Sequence, residues 1–355
     1  MIMIKKIDKN FWKNSKVLVT GHSGFKGFWL CNYLKILNAK VYGVSLEKNK
    51  YFNYKNIVEK QFFINLTNKQ KLNKIINEVK PTIIFHFAAQ SLVSEGYKDP
   101  TNTYLSNLIG TSNLLEICKK KKTIKSLLII TSDKCYKIRK TIYPFKESDE
   151  ISGDDPYSAS KACQEIIAWS FAKSFYHNKN KYNIATCRAG NIIGGGDFSK
   201  NRLIPDIIKS LFLNKKLLIR NISFLRPWQH VLEPITGYII LAQKISSNNK
   251  KYSDAFNFGP NKKNIVSVGS VLKLIKKINF SIKWKVIKLK SFHESKYLSL
   301  NNNKSKKILK YYPNLDLLHG LKLTYNWYEN FYKKKKNPVE FTQSQIKYYL
   351  NLFYE

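Results

Sequence analysis

The sequence predicts an α/β fold: a doubly wound parallel sheet with a smaller C-terminal α/β substrate domain. Three observations carry this. Short β-branched runs alternate with helix-period segments from residue 16 to residue 190. A glycine-rich turn separates the first run from the first helical segment. After residue 190 the rhythm breaks into short runs and asparagine-rich connections. Strands that alternate with helices form parallel sheets covered on both faces.

The elements follow in order. "KVLVTG" (16–21) reads as a strand ending in a glycine turn, "FKGFWLCNYLKILNA" (25–39) as a helix and "KVYGVSL" (40–46) as a second strand. Together they make one βαβ unit. "QKLNKIINEVK" has helical spacing, and "TIIFHFAA" (82–89) reads as a buried strand. "NLIGTSNLLEICKK" is helical, and "SLLIITS" (126–132) is a further strand. A helix over 156–176 and the strand "NIATCRAG" (183–190) complete the run. These boundaries give a dinucleotide-binding domain over 11–190 and a mainly substrate-binding domain over 191–355. Part of 229–262 is expected to return to the first domain.

Composition bounds the class. The chain has 355 residues, 43% hydrophobic and 14% aromatic, which is ample for a core and argues against disorder. No run of about 18 apolar residues occurs, so no membrane span is expected. The start, "MIMIKKIDKNFWKNSK", lacks the apolar core of a signal peptide, which gives a cytoplasmic expectation. Five cysteines without CxxC spacing read as free thiols, with no metal site. The net charge of +39 points superficially to nucleic acid. Its lysines are spread along the chain beside abundant asparagine, isoleucine and tyrosine, the mark of a coding bias, and no nucleic-acid partner is expected. Among 62 basic residues only Arg139, Arg188, Arg202, Arg220 and Arg226 are arginine. Each is either a planar fork for phosphate or carboxylate or a buried ion-pair partner.

"TGHSGFKG" (20–27) sets Gly21, Gly24 and Gly27 directly after a strand and at the start of a helix. That context reads as a Rossmann-type dinucleotide site. Glycine lets a pyrophosphate approach the backbone, and the helix N-terminus faces it with free N–H groups. The end of the second strand, where a carboxylate usually holds the adenosine ribose, carries Ser45. NAD is the expected cofactor; with Lys48 and Lys50 nearby, NADP stays open as the second choice. "YSASK" (157–161) follows Asp155 and Pro156, a cap and a first-turn residue. Tyr157 and Lys161 lie four apart and share a helix face. An ammonium beside a phenol favours phenolate, so Tyr157 is expected to be tuned downward as a base.

These motifs, with "FHFAAQ" (85–90) and "YLSNLIGTSNLLE" (104–116), resemble the extended short-chain dehydrogenase/reductase family over about residues 11–330. "ITSDKCY", "DPYSASK", "RAGNIIGGGDFSKNRLIPD" and "RPWQHVLEP" narrow the resemblance to its CDP-glucose 4,6-dehydratases. That resemblance implies a lyase which turns CDP-glucose into CDP-4-keto-6-deoxyglucose and water, working as a homodimer in deoxysugar and lipopolysaccharide-type synthesis. It implies Tyr157 as base at the C4 hydroxyl, with Lys161 beside it and at the nicotinamide ribose. Ser132 would bond the C4 oxygen, Asp133 would be the acid at C6, and Lys134 the base at C5. Phe25, Leu66, Ala88, Ala89, Gln90 and Asn107 would join the glycines and Ser45 at the cofactor, with Asn65 where relatives often have aspartate. Asn191, Arg202, Leu203, Arg226, His230 and Tyr297 would meet the nucleotide sugar, with a packed structural histidine an equal alternative for His230. Arg188 and Arg220 are weaker candidates for it, and His86 reads as core. A dehydratase or epimerase for another nucleotide sugar is the alternative, although an epimerase has no need of the Asp133–Lys134 pair. A basic binding protein with a vestigial cofactor fold is remote.

Overall fold

The computed structural model describes residues 7–139, 142–179, 181–287 and 297–354. A seven-stranded sheet forms its centre. In chain order the strands are β1 Lys16–Thr20, β2 Lys40–Ser45, β3 Lys60–Phe63, β4 Ile83–His86, β5 Ser126–Ile130, β6 Ile184–Arg188 and β7 Ala255–Asn257. Their spatial order is β3-β2-β1-β4-β5-β6-β7, and every pair is parallel. The order reverses between β1 and β4, the position where doubly wound sheets open a ligand crevice beyond the strand C-termini.

Strands β4, β5 and β6 are buried along their whole length. Helices cover both sheet faces, so these strands are apolar runs with no alternation. The main helices are α1 Phe25–Ile36, α2 Lys69–Val79, α3 Gly110–Lys119, α4 Pro156–Phe171, α5 Leu203–Leu213, α6 Leu232–Ile245, α7 Val268–Ile278, α8 Leu317–Tyr332 and α9 Pro338–Phe353. A π-helical turn, Leu105–Ile109, leads into α3, and another, Ala172–Tyr176, follows α4. Helix α4 starts as its sequence dictates. The Asp155 side chain accepts from the Tyr157 and Ser158 N–H groups, and Pro156 occupies the first turn.

The sequence pattern assigns no strand to 60–63. "KQFF" is a short edge strand, half-buried and without alternation, so it carries no period to read. The chain also crosses back late. Helix α6, buried on nearly every side, packs under β5 and β6, and β7 extends the sheet beyond β6. Helix α9 packs on α1, where Gln343 Nε2 donates to Asn32 Oδ1 at 3.1 Å. Three small two-stranded sheets make up the opposing wall: 192–193 with 229–230, 225–227 with 265–267, and 218–219 with 285–286. Among the described residues no helix is long and apolar enough to cross a membrane. No group of three His, Cys, Asp or Glu among them could hold a metal, and the five cysteines are free.

Candidate active site

A cleft of about 1330 Å³ runs along the C-terminal edge of the sheet. Small-ligand pockets are commonly about 300–1,000 Å³, so this one has room for a dinucleotide and a nucleotide sugar together. A parallel sheet delivers every strand's C-terminus to one edge. The turn after β1, the last residue of β2, and the turns after β3, β4, β5 and β6 therefore all line it.

The glycine turn is built by close approach. Gly21 sits at φ +74, and a Cβ there would lie 2.7 Å from the Ala88 nitrogen. A Cβ on Gly27 would lie 2.2 Å from the Gly21 carbonyl oxygen. Gly24 caps α1 with no side chain to satisfy the first-turn N–H groups. Those groups face the cleft as a ready anion site, which is what a pyrophosphate needs. Ser45 is buried and fully engaged: its Oγ accepts from Ser23 N–H at 3.0 Å and pairs with His22 Nδ1 at 2.9 Å. It braces the glycine turn from the position where a carboxylate was expected.

Gly21, Gly24, Phe25, Gly27, Ser45, Asn65, Leu66, Ala88, Ala89, Gln90, Ser132, Asp133, Lys134, Tyr157, Lys161, Asn191, Arg202, Leu203 and Arg226 all line this one cleft. Asn107, His230 and Tyr297 do not. Asn107 is buried behind Gln90, accepting from its N–H at 2.8 Å and donating to its carbonyl at 3.1 Å. It shapes the loop after β4 from below. His230 is buried edge-on against Trp29, centroids 5.5 Å apart, and burial pushes its imidazole down to about 3. It is a core residue. Tyr297 pairs with Leu225 through an isolated β-bridge, beside Arg226; residues 293–296 of its "HESKYL" stretch lie outside the described residues.

The turn after β5 holds the densest chemistry. Ser132 Oγ donates to Asp133 Oδ1 at 3.1 Å and accepts from the Lys134 N–H at 3.2 Å. The other carboxylate oxygen of Asp133 is buried with no hydrogen-bond partner. It points at Gly190, where a Cβ would come within 1.6 Å, so glycine there is a steric requirement. Burial pushes the Asp133 carboxyl above the usual carboxylate range, against the pull of Lys134, the Ser132 hydrogen bond and Arg226. An acid so placed keeps its proton more readily than a solvated one. Lys134 is half-buried in the same turn.

The expected downward tuning of Tyr157 is not what the geometry gives. Burial pushes its phenol up to about 12, opposed by a Ser132 hydrogen bond and by the Arg202 charge. The Lys161 Nζ donates to Gln164 Oε1 at 2.7 Å. Burial, then the Lys26 charge, bring Lys161 down to about 7.

The arginines divide. Arg188 belongs to a buried ion pair: its Nη2 donates to Glu165 Oε2 at 2.9 Å and its Nη1 to Tyr136 Oη at 2.8 Å. Arg202 spans the cleft mouth, donating to Asp197 Oδ2 and to the Ser91 carbonyl, both at 3.1 Å. Arg226 and Arg220 also line the cleft, while Arg139 pairs with Asp149 at the surface. Sequence reasoning passed over Lys26. It lies above the Phe87 ring at 5.6 Å, and burial and Arg202 lower it to about 8. The signal was present: a lysine inside a glycine turn, "GFKG", that otherwise feeds an apolar helix.

Residues 17–259 match the NAD dependent epimerase/dehydratase family. The chain belongs to that family. It is an NAD-dependent enzyme, and the uncapped glycine turn described above fits that cofactor. Among curated relatives, a CDP-glucose 4,6-dehydratase of Salmonella typhimurium is 39% identical over 333 residues, covering 91% of this chain and 93% of that one. A UDP-glucose 4-epimerase of Mycoplasma genitalium is 25% identical, covering 90% and 97%. Among solved structures, a UDP-glucose 4-epimerase from Thermotoga maritima superposes with a TM-score of 0.77 at 21% identity, covering 90% of this chain and 99% of that one. A dTDP-glucose 4,6-dehydratase from Bacillus anthracis, in complex with NAD, gives 0.75 at 24%, covering 92% and 99%. Both share the fold.

Proposed function

We propose that this chain is a CDP-glucose 4,6-dehydratase, converting CDP-glucose to CDP-4-keto-6-deoxyglucose and water. The observation that carries this is the 39% identity to the Salmonella typhimurium enzyme over 91% of the chain. The Ser132–Asp133–Lys134 turn at the cleft supports it. A nicotinamide cofactor held at the turn of Gly21, Gly24 and Gly27 would supply reversible hydride chemistry between C4 and C6, so none would be consumed. With the positive nicotinamide ring of the bound cofactor offsetting the burial that raises its phenol, Tyr157 would take the proton from the C4 hydroxyl, with Ser132 bonded to the same oxygen. The C4 ketone acidifies C5; Lys134 removes that proton and gives it back to C5 as C6 is reduced. Asp133, whose carboxyl burial raises above the usual range, gives its proton to the departing C6 hydroxyl, which leaves as water. Arg202 and Arg226, which both line the cleft, hold the diphosphate. Residues 11–190 bind the dinucleotide and most of 191–355 the sugar nucleotide.

The enzyme works as a homodimer in the cytoplasm and supplies an activated deoxysugar for lipopolysaccharide or a similar surface polysaccharide. Exposed apolar side chains on and beside α4 support the pairing: Ile166 and Phe175, with Tyr104, Leu105 and Ile109 on the neighbouring turns.

A substrate panel tests the reading. CDP-glucose, UDP-glucose, dTDP-glucose and GDP-mannose are incubated separately and 4-keto product is followed. Only CDP-glucose should turn over, and conversion of another sugar in its place would overturn the assignment. Asp133→Asn should lower kcat by about 10²–10⁴-fold, the usual weight of a general acid, without loss of thermal stability.

A further inference from the structure

One face of α4 carries a hydrogen-bond chain that the mechanism above does not use. Lys161 Nζ donates to Gln164 Oε1 at 2.7 Å. Gln164 Nε2 donates to Thr111 Oγ1 at 2.7 Å. The Thr111 hydroxyl spends its own proton on the Asn107 carbonyl, also at 2.7 Å. Its oxygen must therefore accept from His86 Nε2, 2.9 Å away. That fixes the imidazole as the Nε2–H tautomer, which burial keeps neutral by pushing it down to about 3. His86 Nδ1 is left to accept from Thr20 Oγ1 at 2.7 Å, and the Thr20 oxygen accepts from the Ala88 N–H at 3.3 Å. Thr20, His86, Thr111, Lys161 and Gln164 are all buried. Each donor has one acceptor, and two arms, Lys161–Gln164 from one side and Ala88–Thr20–His86 from the other, converge on the Thr111 oxygen.

We propose that Gln164 is a positioning residue for Lys161: its amide fixes the amine and couples it, through Thr111, His86 and Thr20, to the cofactor loop at Ala88. The proposal deepens the function given above and rests on it, taking Lys161, which lines the cleft beside Tyr157, as the residue at the cofactor. A buried amine has two kinds of partner available. A carboxylate would hold it permanently charged, whereas an amide carbonyl satisfies a hydrogen bond without adding an opposite charge. The groups that face Lys161 are Lys26 from the start of α1, Cys135 from the turn after β5, His86 from β4, and Glu165 and Tyr157 on its own helix. Lys26 drives the proton off; Cys135 and Glu165 favour keeping it. In that balance the neutrality of residue 164 decides where the amine titrates.

The test uses the whole chain and NAD alone, with no sugar present. NAD affinity is measured by calorimetry from about pH 6 to about pH 10, spanning the window between the lowered lysine and an ordinary one. Gln164→Glu keeps the shape and adds a charge, and should move the alkaline loss of affinity up by at least about one pH unit, tenfold in proton concentration. Gln164→Met keeps the length and removes the acceptor, and should move it down. A purely structural residue would change both affinities without moving either midpoint. Midpoints that stay at the wild-type value, or that move together in one direction, overturn the proposal, as does a wild-type affinity with no alkaline loss. If Gln164→Met fails to fold, the Gln164→Glu midpoint decides alone. Failure on CDP-glucose with shifted NAD midpoints would sink the substrate assignment and leave this inference standing.

Discussion

Two buried networks meet α4 on adjacent residues, and they are built on opposite principles. Glu165 accepts from Thr131 at 2.5 Å, Thr186 at 2.7 Å and Arg188 at 2.9 Å. Burial alone would raise its carboxyl, but the Arg188 ion pair and these hydrogen bonds outweigh that and lower it. A full charge is met by a full opposite charge, and the cluster joins α4 to β5 and β6 directly behind Ser132. One residue earlier, Gln164 meets the amine of Lys161 with a neutral amide and shares Thr111 as acceptor with a neutral histidine. The charged network is a fixed support. The neutral one leaves its lysine close to titration at ordinary pH. A protein spends ion pairs where a group must never change state, and withholds them where it must.

Breaking the charged side should have the largest effect. Arg188→Met leaves the Glu165 carboxylate buried without its cation, which costs about 3–5 kcal/mol. Urea denaturation would read this as a lower midpoint at constant slope. The double change Glu165→Met/Arg188→Met should recover part of the loss, since apolar pairs often replace buried ion pairs at little cost. A double variant no better than the single one would mean that the pair's hydrogen bonds, and not its charge balance, hold this region.

The neutral side is next, and it is read through pH. Lys161 is lowered to about 7 from an ordinary 10.5. Between those values the unfolded chain binds a proton that the folded chain does not, so the penalty is full below about pH 7 and is relieved as pH rises toward 10.5. Lys161→Met should therefore gain most over the wild type at the acid end of that window, and the gain should shrink as pH rises. Denaturation of both proteins at a series of pH values checks it. A constant difference across the window would show that Lys161 titrates as a solvated lysine does.

Thr111→Val should have the smallest effect of the three. It leaves the Gln164 and His86 donors without their shared acceptor, at about 1–3 kcal/mol. Thermal unfolding would register the loss. A loss as large as that of Arg188→Met would erase the contrast between the two networks.

Much of the fold was legible because its signals are local. The turn "TGHSGFKG" after a β-branched run, the capped "DDPYSASK" helix and the buried runs β4 to β6 each declare themselves within a dozen residues. The edge strand at 60–63 was not, because it owes its state to pairing with β2 and not to any period of its own. The site divides in the same way. Ser132, Asp133, Tyr157 and Lys161 could be named from motifs. For His230 a substrate contact and a packed structural role stayed equally open, since its burial depends on Trp29 and Gly320.

The sequence by itself determined the strand–helix rhythm, the glycine turn and the identity of the polar groups at the strand ends. Hydrophobic period and turn chemistry act over a few residues, and a parallel sheet then brings its C-termini to one edge without further instruction. Only the tertiary structure decided the state of those groups: that Arg188 is support while Arg202 faces the cleft, that Tyr157 is pushed up, that Lys161 turns to Gln164. Each of these depends on burial and on partners far away in the chain, as Thr20, His86, Thr111 and Gln164 are from one another. An ionisable group answers to whatever surrounds it in space, and that is fixed only when the distant segments have packed.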